Sequence, residues 1–470
     1  MDKNKKKAFF DTLAPERDNW KKRNRYYNRD IERYCSFCIP PGSSVLEIGC
    51  GTGDLLASVQ PGKGVGIDFS PGMLEIAREK YPGLKFLLTD AESLNIRGKF
   101  DYIIISDVIG LLDDIQVVFA ALRRVTTPRT RILITYHNSI WEPALALGEK
   151  LGLKIKYPWR QNWLPLEEIK NLLYLNDFEV IKQGYRLLFP KYIPLFSTLM
   201  NRFIAKLPGL RNLCLVEVLV AKETKKSRRK SHSCSVIIPC RNEKGNIEGA
   251  VTRTPGLGKH TELIFIDGNS TDGTVDEISR IIEKYPEKDI KLILQGDGTG
   301  KGDAVRKGFA AAEGDVLMIL DADLTVPPED LPKFFNALTE GKGEFINGTR
   351  LVYPMEKEAM RFLNMLGNKF FSMLFTYILE QPFRDTLCGT KVLFKWDYEK
   401  IVRNRGYFGE FDPFGDFDLI FGASKLNLKI VEIPIRYRER VYGSTNISRF
   451  SHGWLLLKMS FVALKKLKFV

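Results

Sequence analysis

The stretch Asp315 to Pro328, DVLMILDADLTVPP, constrains the fold of this chain more than any other. Five successive apolar residues, 316–320, show no helical spacing and are followed directly by Asp321 and Asp323. Such a run predicts a strand covered on both faces, as in a parallel sheet. Two carboxylates one residue apart are costly to bury, so their place at a strand end indicates a divalent cation and its phosphates. For an isolated Asp-Ala-Asp, two solvated turn aspartates would be the better interpretation.

The length and the charge of the chain limit the function classes to consider. With 470 residues, two to three domains are expected. The net charge of +14 is partly concentrated near the start, at 222–230 and at the end of the chain. Basic clusters serve nucleic acid, an anionic membrane or solubility. Because no basic motif is interleaved with aromatics as in RNA-recognition signatures, no nucleic-acid partner is expected.

The cysteines and the hydropathy indicate a compartment. Seven cysteines, an odd number, argue against a disulfide framework, and Cys35-x-x-Cys38 has no second pair to complete a zinc site. The N-terminus resembles no signal peptide, and no stretch offers ~18 uncharged apolar residues for a transmembrane helix. We therefore expect a reducing cytoplasm, with peripheral contact at the inner face of the membrane left open.

A glycine-rich turn organises the first half of the chain. In VLEIGCGTGDLL, 45–56, a short apolar strand leads into Gly49, Gly51 and Gly53 and then into a helical continuation. Glycines at such a turn let the backbone approach a ligand closely at a helix N-terminus. A covering helix or two is expected before it, over residues 8–38.

Acidic residues end the strands that follow. GVGIDFS contains Asp68, fifteen residues after Gly53, where a carboxylate can accept hydrogen bonds from two ribose hydroxyls. KFLLTD ends in Asp90 and FDYIIISD ends in Asp107. Strands with such ends, separated by helical stretches, predict a doubly wound α/β sheet with its site along one edge.

These residues resemble the class I S-adenosylmethionine-dependent methyltransferases, and the EIGCGTG motif separates them from nicotinamide enzymes. The resemblance covers about 8–222 and implies a Rossmann-like fold. It implies that S-adenosylmethionine is held by Glu47, Gly49 and Gly51 at its amino-acid part, by Asp68 at the ribose and by Asp90 near the adenine. Asp107 is assigned to the same site. Asp107, Tyr136 and His137 are candidates to position the methyl acceptor, and for His137 a structural role is favoured over that of a base.

Residues 190–210 interrupt this domain with a helical pattern. Apolar residues at helical spacing are Phe196, Leu199, Met200, Phe203, Ile204 and Leu207, with Ser197, Asn201, Arg202 and Lys206 opposite. We expect the apolar face to pack on its own domain, and a hydrophobic acceptor channel is the alternative.

A basic segment without apolar side chains, ETKKSRRKSHS, predicts a linker at 223–233 between a domain at 1–222 and a second at 234–470. The second domain repeats a pattern of strand, polar turn and helix at 235–247, 262–278 and 291–314. These units bring Asp267, Lys301 and the pair Asp321 and Asp323 to one sheet edge. A nucleotide base, a diphosphate and its metal would need such groups.

The order of these units resembles that of the family-2 glycosyltransferases of GT-A fold, closest to the dolichol-phosphate mannosyltransferase-like enzymes. The matching stretches are PCRNE (239–243), IDGNSTDGT (266–274), DADLT (321–325) and INGTR (346–350), within a resemblance that covers 234 to about 450. It implies that a UDP- or GDP-linked sugar donor is bound by Pro239, Arg241, Glu243, Asp267, Asp272 and Lys301. It implies Mg²⁺ or Mn²⁺ bound through Asp321 and Asp323, and Arg350 near the donor sugar or the acceptor phosphate.

The chain departs from the family pattern at three places. Arg241 stands where the family has a tyrosine, Thr325 replaces a glutamine that can also ligate, and DTLCGTK at 385–391 matches only in part. The implied chemistry is inverting transfer in which the metal and Lys301 neutralise the departing nucleotide. A lipid phosphate acceptor needs no general base, whereas a hydroxyl acceptor does. Among Asp385, Glu410, Asp412, Asp416 and Asp418, the last two are favoured for that role.

Three further segments carry expectations. Residues 359–382 form an amphipathic helix, for which membrane contact and a core or dimer role remain open, and the basic, apolar tail 453–469 predicts a surface-seeking helix. Two strands are expected within 431–454, with Arg436, Arg438 and Arg440 along one face to grip phosphate.

Three functional hypotheses remain open at this point. The first is a bifunctional enzyme that combines methyl transfer with metal-dependent glycosyl transfer to a lipid-linked acceptor. The second keeps the glycosyltransferase but makes the first domain a binding module for S-adenosylmethionine. The third is a soluble transferase that acts on a glycan or small-molecule acceptor and uses its hydrophobic helices to dimerise.

Overall fold

The computed structural model describes residues 3–224, 231–298, 300–350, 362–407, 417–438, 440, 442 and 449–469. The chain divides into two compact units, Met1–Lys225 together with Phe469–Val470, and Lys226–Lys468. Each unit is built on a mixed seven-stranded sheet.

The first unit has a doubly wound sheet. Its strands are β1 (Ser44–Ile48), β2 (Lys63–Asp68), β3 (Lys85–Leu88), β4 (Tyr102–Ser106), β5 (Arg131–His137), β6 (Phe178–Arg186) and β7 (Val216–Glu223). Its helices are α1 (Lys3–Arg23), α2 (Arg25–Cys38), α3 (Asp54–Ser58), α4 (Pro71–Lys80), α5 (Ile115–Leu122), α6 (Glu142–Lys150), α7 (Leu166–Leu175) and α8 (Phe196–Arg202). The strand order is β3-β2-β1-β4-β5-β7-β6, with β7 antiparallel to both of its neighbours.

The strand order places a ligand crevice at β1. This strand lies parallel to both β2 and β4, so the winding direction reverses there. Open α/β sheets bind ligands at the carboxyl ends of the strands at such a reversal. Ile48 at the end of β1 pairs with Ile67 and Ile105, which brings the turns after these three strands to one edge.

The second unit has a similar layout. Its strands are β8 (Cys234–Cys240), β9 (Thr261–Asp267), β10 (Asp289–Leu294), β11 (Val316–Ile319), β12 (Phe345–Thr349), β13 (Lys391–Phe394) and β14 (Ile430–Pro434). Its helices are α9 (Ile247–Arg253), α10 (Thr274–Lys284), α11 (Gly300–Ala311), α12 (Leu331–Thr339), α13 (Phe362–Leu379), α14 (Lys395–Arg403), α15 (Phe417–Lys425) and α16 (Arg449–Ala463). The strand order is β10-β9-β8-β11-β13-β12-β14, with β13 antiparallel to β11 and β12.

The strand that precedes the aspartate pair is fully enclosed. All four residues of β11 are 0% exposed, because β8 and β13 flank it and helices cover the sheet. Cys240 at the end of β8 pairs with Asp267 at the end of β9, and Ile319 pairs with Ile237. The ends of these parallel strands therefore meet at one edge. The predicted fold class, two α/β domains, agrees with these two sheets.

The amphipathic pattern at 190–210 has the opposite orientation to the one expected. Phe196, Leu199 and Phe203 are 45–53% exposed, whereas Ser197 is fully buried. The reason is the irregular backbone before α8. The Ser197 hydroxyl donates to the Lys191 carbonyl and accepts from the Ile193 amide, so the polar side must face inward.

The arginine-rich segment also differs from the prediction. Strand β14 ends at Pro434, and the described residues after it are not in a strand. The Arg438 amide instead donates to the carbonyl of Thr325, in the loop that follows β11. This hydrogen bond takes the chain away from the sheet and towards the aspartate pair.

The helices predicted at 359–382 and in the tail are present as α13 and α16, and a π-helical turn, Leu464–Lys468, follows α16. Across the ranges that the structure describes, none of the helices has the length and apolar character needed to cross a membrane.

Candidate functional site

The turn between β1 and α3 forms the centre of the site in the first unit. The amides of Gly49 and Cys50 both donate to the Ile67 carbonyl, at 2.8 and 2.9 Å. Gly49 has a φ of +70°, and a Cβ there would lie 2.5 Å from the Val108 side chain. Only glycine therefore fits this turn, whose backbone is held tightly against β2 and the loop after β4.

Asp68 is fixed at the end of β2 by backbone donors. Its carboxylate accepts from the amides of Gly51 and Ser70, both at 2.9 Å, and the residue is 9% exposed. Burial raises the pKa of Asp68 against the lowering effect of these amides. The glycine turn and the acid predicted to hold the ribose are thus one hydrogen-bonded unit.

A cavity of about 700 Å³ opens at this edge of the sheet. Its wall includes the predicted residues Gly49, Gly51, Asp68, Asp90 and Asp107, together with the candidates Tyr136 and His137. Glu47 does not belong to that wall. It is 3% exposed within β1, where burial raises its pKa to about 8. The role of Glu47 towards the methyl donor stays a prediction.

A polar relay lies at one side of the cavity. The Tyr27 hydroxyl donates to Asp107 Oδ2 at 2.6 Å and lies 3.2 Å from His137 Nε2. Burial and the neighbouring carboxylate raise the pKa of Tyr27, and burial lowers the pKa of His137. The sequence predicted Asp107 and His137 here but not Tyr27, since a tyrosine within a helix 80 residues earlier carries no recognisable signal.

Helix α1 covers this edge and is bonded to it at its first residue and near its middle. Lys3 Nζ lies 2.6 Å from both Asp90 Oδ2 and Glu92 Oε2, which raises the pKa of Lys3. Asp11 accepts from the Ser70 hydroxyl at 2.6 Å, at the N-terminus of α4. The predicted covering helix is therefore part of the wall of the cavity.

In the second unit, the turn after β9 is held by its own acids. Asp267 is 2% exposed, and its Oδ2 accepts from the Ser270 amide at 3.0 Å. Asp272 accepts from the Thr274 amide at 3.0 Å and the Lys244 amide at 3.2 Å. Burial alone would raise the pKa of Asp272, but these donors and the Thr274 hydroxyl lower it.

The first aspartate of the pair is matched by a lysine. Lys301 Nζ lies 2.6 Å from Asp321 Oδ1. Burial alone would raise the pKa of Asp321, but the nearby cations, Lys301 first among them, hold it below its ordinary value. Gly389 lies directly against this carboxylate. A Cβ at position 389 would be only 1.9 Å from Asp321 Oδ2.

Arg440 connects Asp323, the second aspartate of the pair, to Glu243 in the PCRNE motif. Arg440 lies 2.8 Å from Asp323 Oδ2 and 3.2 Å from Glu243 Oε1. Asp323 Oδ1 also accepts from the Thr325 hydroxyl at 2.8 Å. Three predicted elements, Glu243, Asp323 and the arginine-rich segment, thus meet. The basic character of Arg440 was noted in the sequence, but its carboxylate partners could not be read there.

The comparisons with known proteins agree with this geometry. Residues 45–129 match the family profile described as a methyltransferase domain, and residues 235–405 match that of glycosyl transferase family 2. The chain joins a methyltransferase domain to a family 2 glycosyltransferase domain. The family predictions made from both sets of motifs are therefore confirmed, as is the fold class, a Rossmann-like domain followed by a GT-A domain.

Relatives of known function match the glycosyltransferase domain. The dolichol-phosphate mannosyltransferase of Saccharomyces cerevisiae is 40% identical over 121 residues, which are 25% of this chain and 44% of that protein. The enzyme of the same name from Pyrococcus furiosus is 31% identical over 219 residues, 45% of this chain and 58% of its own length. The chain thus spans about half the length of these relatives.

Among solved structures, an S-adenosylmethionine-dependent methyltransferase of Thermotoga maritima aligns with 47% of this chain and 99% of its own. The sequence identity is 18% and the TM-score is 0.37.

The remaining predicted residues of the glycosyltransferase domain lie in different settings. Arg350 forms a bidentate pair with Asp385, at 2.7 and 2.8 Å. Asp418 lies 3.1 Å from Arg405. Pro239 is half-buried and Arg241 is exposed at the end of β8. Asp416, Glu410 and Asp412 fall outside the residues that the structure describes.

Proposed function

We propose that the chain is a bifunctional transferase. The first domain transfers a methyl group from S-adenosylmethionine, and the second transfers a sugar from a UDP- or GDP-linked donor to a lipid-linked acceptor with inversion. The observation that carries the second activity is the meeting of Asp267, Asp321 and Asp323 at one sheet edge, with Lys301 and Arg440 beside them. The chemistry of the relatives supports the acceptor class.

The residues at this edge fit a divalent cation bound together with a diphosphate. No set of three or more His, Cys, Asp or Glu side chains in the described ranges could hold a metal alone. Two carboxylates suffice, however, where substrate phosphates complete the coordination of Mg²⁺ or Mn²⁺. Gly389 leaves the space beside Asp321 that a side chain would fill. When bound, the cation supplies positive charge to the departing nucleotide.

The side chains have separable roles in donor binding. Among the described residues, Asp267 Oδ1 is buried without a hydrogen-bond partner, and a base N–H is a suitable donor for it. Lys301 and Arg440 are paired with carboxylates in this structure and can turn towards phosphate oxygens. Their charge would stabilise the nucleoside diphosphate as it leaves.

The ion pair between Arg350 and Asp385 favours a phosphate nucleophile over a hydroxyl. Asp385 is fully buried, and Arg350 holds its pKa below the ordinary value against the effect of burial. A carboxylate that is stabilised in its charged form is a weak base, so Asp385 is not suited to take a proton from a hydroxyl. A lipid phosphate is already charged and needs no such base.

The relay in the first domain supports methyl transfer. S-adenosylmethionine, when bound, supplies an activated methyl group, so alignment of the acceptor is the main task of the protein. Because burial lowers the pKa of His137, its ring is neutral at pH 7 and can accept or donate one hydrogen bond. Tyr27 and Asp107 fix the position of that ring in the cavity wall.

The proposal includes a reducing compartment, the cytoplasm. All seven cysteines are free and buried, and none is joined in a disulfide. This pattern is typical of proteins that work among reducing thiols.

Nucleotide release from sugar nucleotides tests the glycosyltransferase. Asp323→Asn removes one of the two proposed metal ligands and should lower metal-dependent release by at least about 100-fold. Asp330→Asn is the matched control, since Asp330 contacts Lys333 at 2.6 Å on a short helical turn away from the pair. Full activity of Asp323→Asn with UDP- and GDP-sugars would refute the metal site.

A further inference from the structure

The first domain exposes an extensive apolar face. We use this name for Ile140, Leu147, Leu151, Leu153, Tyr192, Ile193, Leu195, Phe196, Leu199, Phe203, Leu207, Leu210 and Leu213, which are each 40–87% exposed. They are thirteen of the seventeen large apolar side chains that are exposed within residues 3–224. Scattered apolar residues on a surface are ordinary, but a concentration of this size marks an interaction surface.

The local structure is built to turn these side chains outward. Leu195 is 87% exposed, while Ser197, two residues on, is fully buried. The Asn201 amide group donates to the Phe189 carbonyl at 2.7 Å and accepts from the Phe189 amide at 2.8 Å. The polar side of α8 is thus used to satisfy buried backbone groups, and its apolar side is left facing solvent.

The apolar face consists of two segments, residues 140–153 and 192–213, and hydrogen bonds next to these segments join them. Trp141 Nε1 donates to the Leu213 carbonyl at 2.8 Å, and Asn138 Nδ2 donates to the Asn212 carbonyl at 2.8 Å. The cavity wall includes Trp141, Leu153 and Lys191. The apolar face therefore borders the cavity in which the methyl donor is expected.

The basic side chains of the apolar face favour an anionic partner. Residues 190–213 contain no acidic side chain and four basic ones, Lys191, Arg202, Lys206 and Arg211, of which Lys206 is buried. The segment 140–153 contains Glu142 and Glu149 beside Lys150, so the positive charge of the face lies in 190–213. Exposed leucines and aromatics combined with basic residues are typical of helices that lie in the headgroup region of an anionic bilayer.

We propose that the apolar face of the first domain docks on an anionic lipid bilayer. The cavity beside it then opens towards the membrane. Resting on the proposed methyl transfer, this orientation assigns the methyl acceptor to the amphiphiles: an apolar chain stays among the lipids while the polar head reaches Tyr27 and His137.

A fluorescent label on the full-length protein tests the docking. Because all seven native cysteines are buried, an environment-sensitive dye attaches selectively to Leu199→Cys. Tyr174→Cys is the matched control: Tyr174 is 76% exposed, at the opposite end of β6, whose nine residues span about 30 Å. With vesicles that contain phosphatidylglycerol, the emission of the label at 199 should shift to shorter wavelength and the label at 174 should not respond.

A charge substitution gives a second readout. The double variant Phe196→Asp and Leu199→Asp should bind the same vesicles at least about tenfold more weakly in flotation, because it removes apolar contacts and adds negative charge. Tyr174→Asp should float like the wild type. High salt should weaken binding of the wild type as well.

Three results would overturn the proposal. Flotation without a response at position 199 would assign membrane contact to another surface. A doubling of mass that the double variant abolishes would show that a second copy covers the face. A label at 199 that is already shielded without vesicles would show that the chain itself covers it. None of these readouts depends on methyl transfer, which binding of S-adenosylmethionine would test separately.

Discussion

At the residue scale, the proposed donor site of the glycosyltransferase domain pairs three carboxylates with two basic side chains. Lys301 contacts Asp321, and Arg440 contacts both Asp323 and Glu243. The nearby cations keep Asp321 ionised, because they hold its pKa below the ordinary value against the effect of burial. In the proposed site, the two aspartates bind a cation, and Lys301 and Arg440 bind phosphate groups.

Gly389→Ala should impair this site without unfolding the domain. The added Cβ would lie 1.9 Å from Asp321 Oδ2, and the clash can be relieved by turning that carboxylate. We expect at least about a tenfold loss of nucleotide release and a higher requirement for Mg²⁺, because a metal ligand is displaced. Gly406→Ala is the control, as nothing lies within 4 Å of its added Cβ. Equal activity of the two variants would contradict a role for Asp321 as a ligand.

Arg350→Met should destabilise the glycosyltransferase domain by about 3–5 kcal/mol, because it leaves the Asp385 carboxylate buried without its partner. The two side chains are 11% and 0% exposed. In the control Arg253→Met, the pair with Glu329 is 34% and 53% exposed, and the loss should stay below about 1 kcal/mol. Denaturant unfolding measures both values.

The same ion pair predicts a pH dependence. Because Arg350 lowers the pKa of Asp385 in the folded protein, its stabilising contribution is fully present above the ordinary carboxyl pKa of about 3.9. It is lost as the pH falls through the lower folded pKa. The difference in unfolding free energy between wild type and Arg350→Met should therefore be constant near neutral pH and shrink below about pH 4.

At the scale of elements, the sequence predicts strands best where an apolar run is followed directly by residues of a binding motif. β1 and β11 were identified because an apolar run ends at glycines or aspartates, and both strands end where expected. The parallel alignment then brings the ends of β8, β9 and β11 together without further information. For that reason Asp267 and Asp321 could be placed at one edge from sequence alone.

Other elements could not be placed, and each failure has a physical cause. The period of α8 identifies two faces but does not say which one packs inward, and backbone hydrogen bonds to Ser197 and Asn201 reversed the expected choice. Arg440 lies 117 residues from Asp323. Contacts over such a distance depend on the path of an irregular segment, which neither periodicity nor composition encodes.

At the scale of the whole molecule, the two proposed activities use separate sets of residues. The cavity of the first domain is lined from Lys3 to Leu215, and the carboxylate pairs of the second use residues from Glu243 to Arg440. Sites without shared partners respond independently to substitution. Fusion in one chain therefore requires no coupling between the sites.

Two reciprocal substitutions measure this independence. Asp68→Ala removes the acceptor of the Gly51 and Ser70 amides and should weaken binding of S-adenosylmethionine at least about tenfold, measured by calorimetry, while nucleotide release stays unchanged. Asp323→Asn should abolish nucleotide release and leave that binding at the wild-type value. If either variant changed both readouts, with unfolding midpoints unaltered, the two sites would be coupled, and the first domain would act as a regulator of the second.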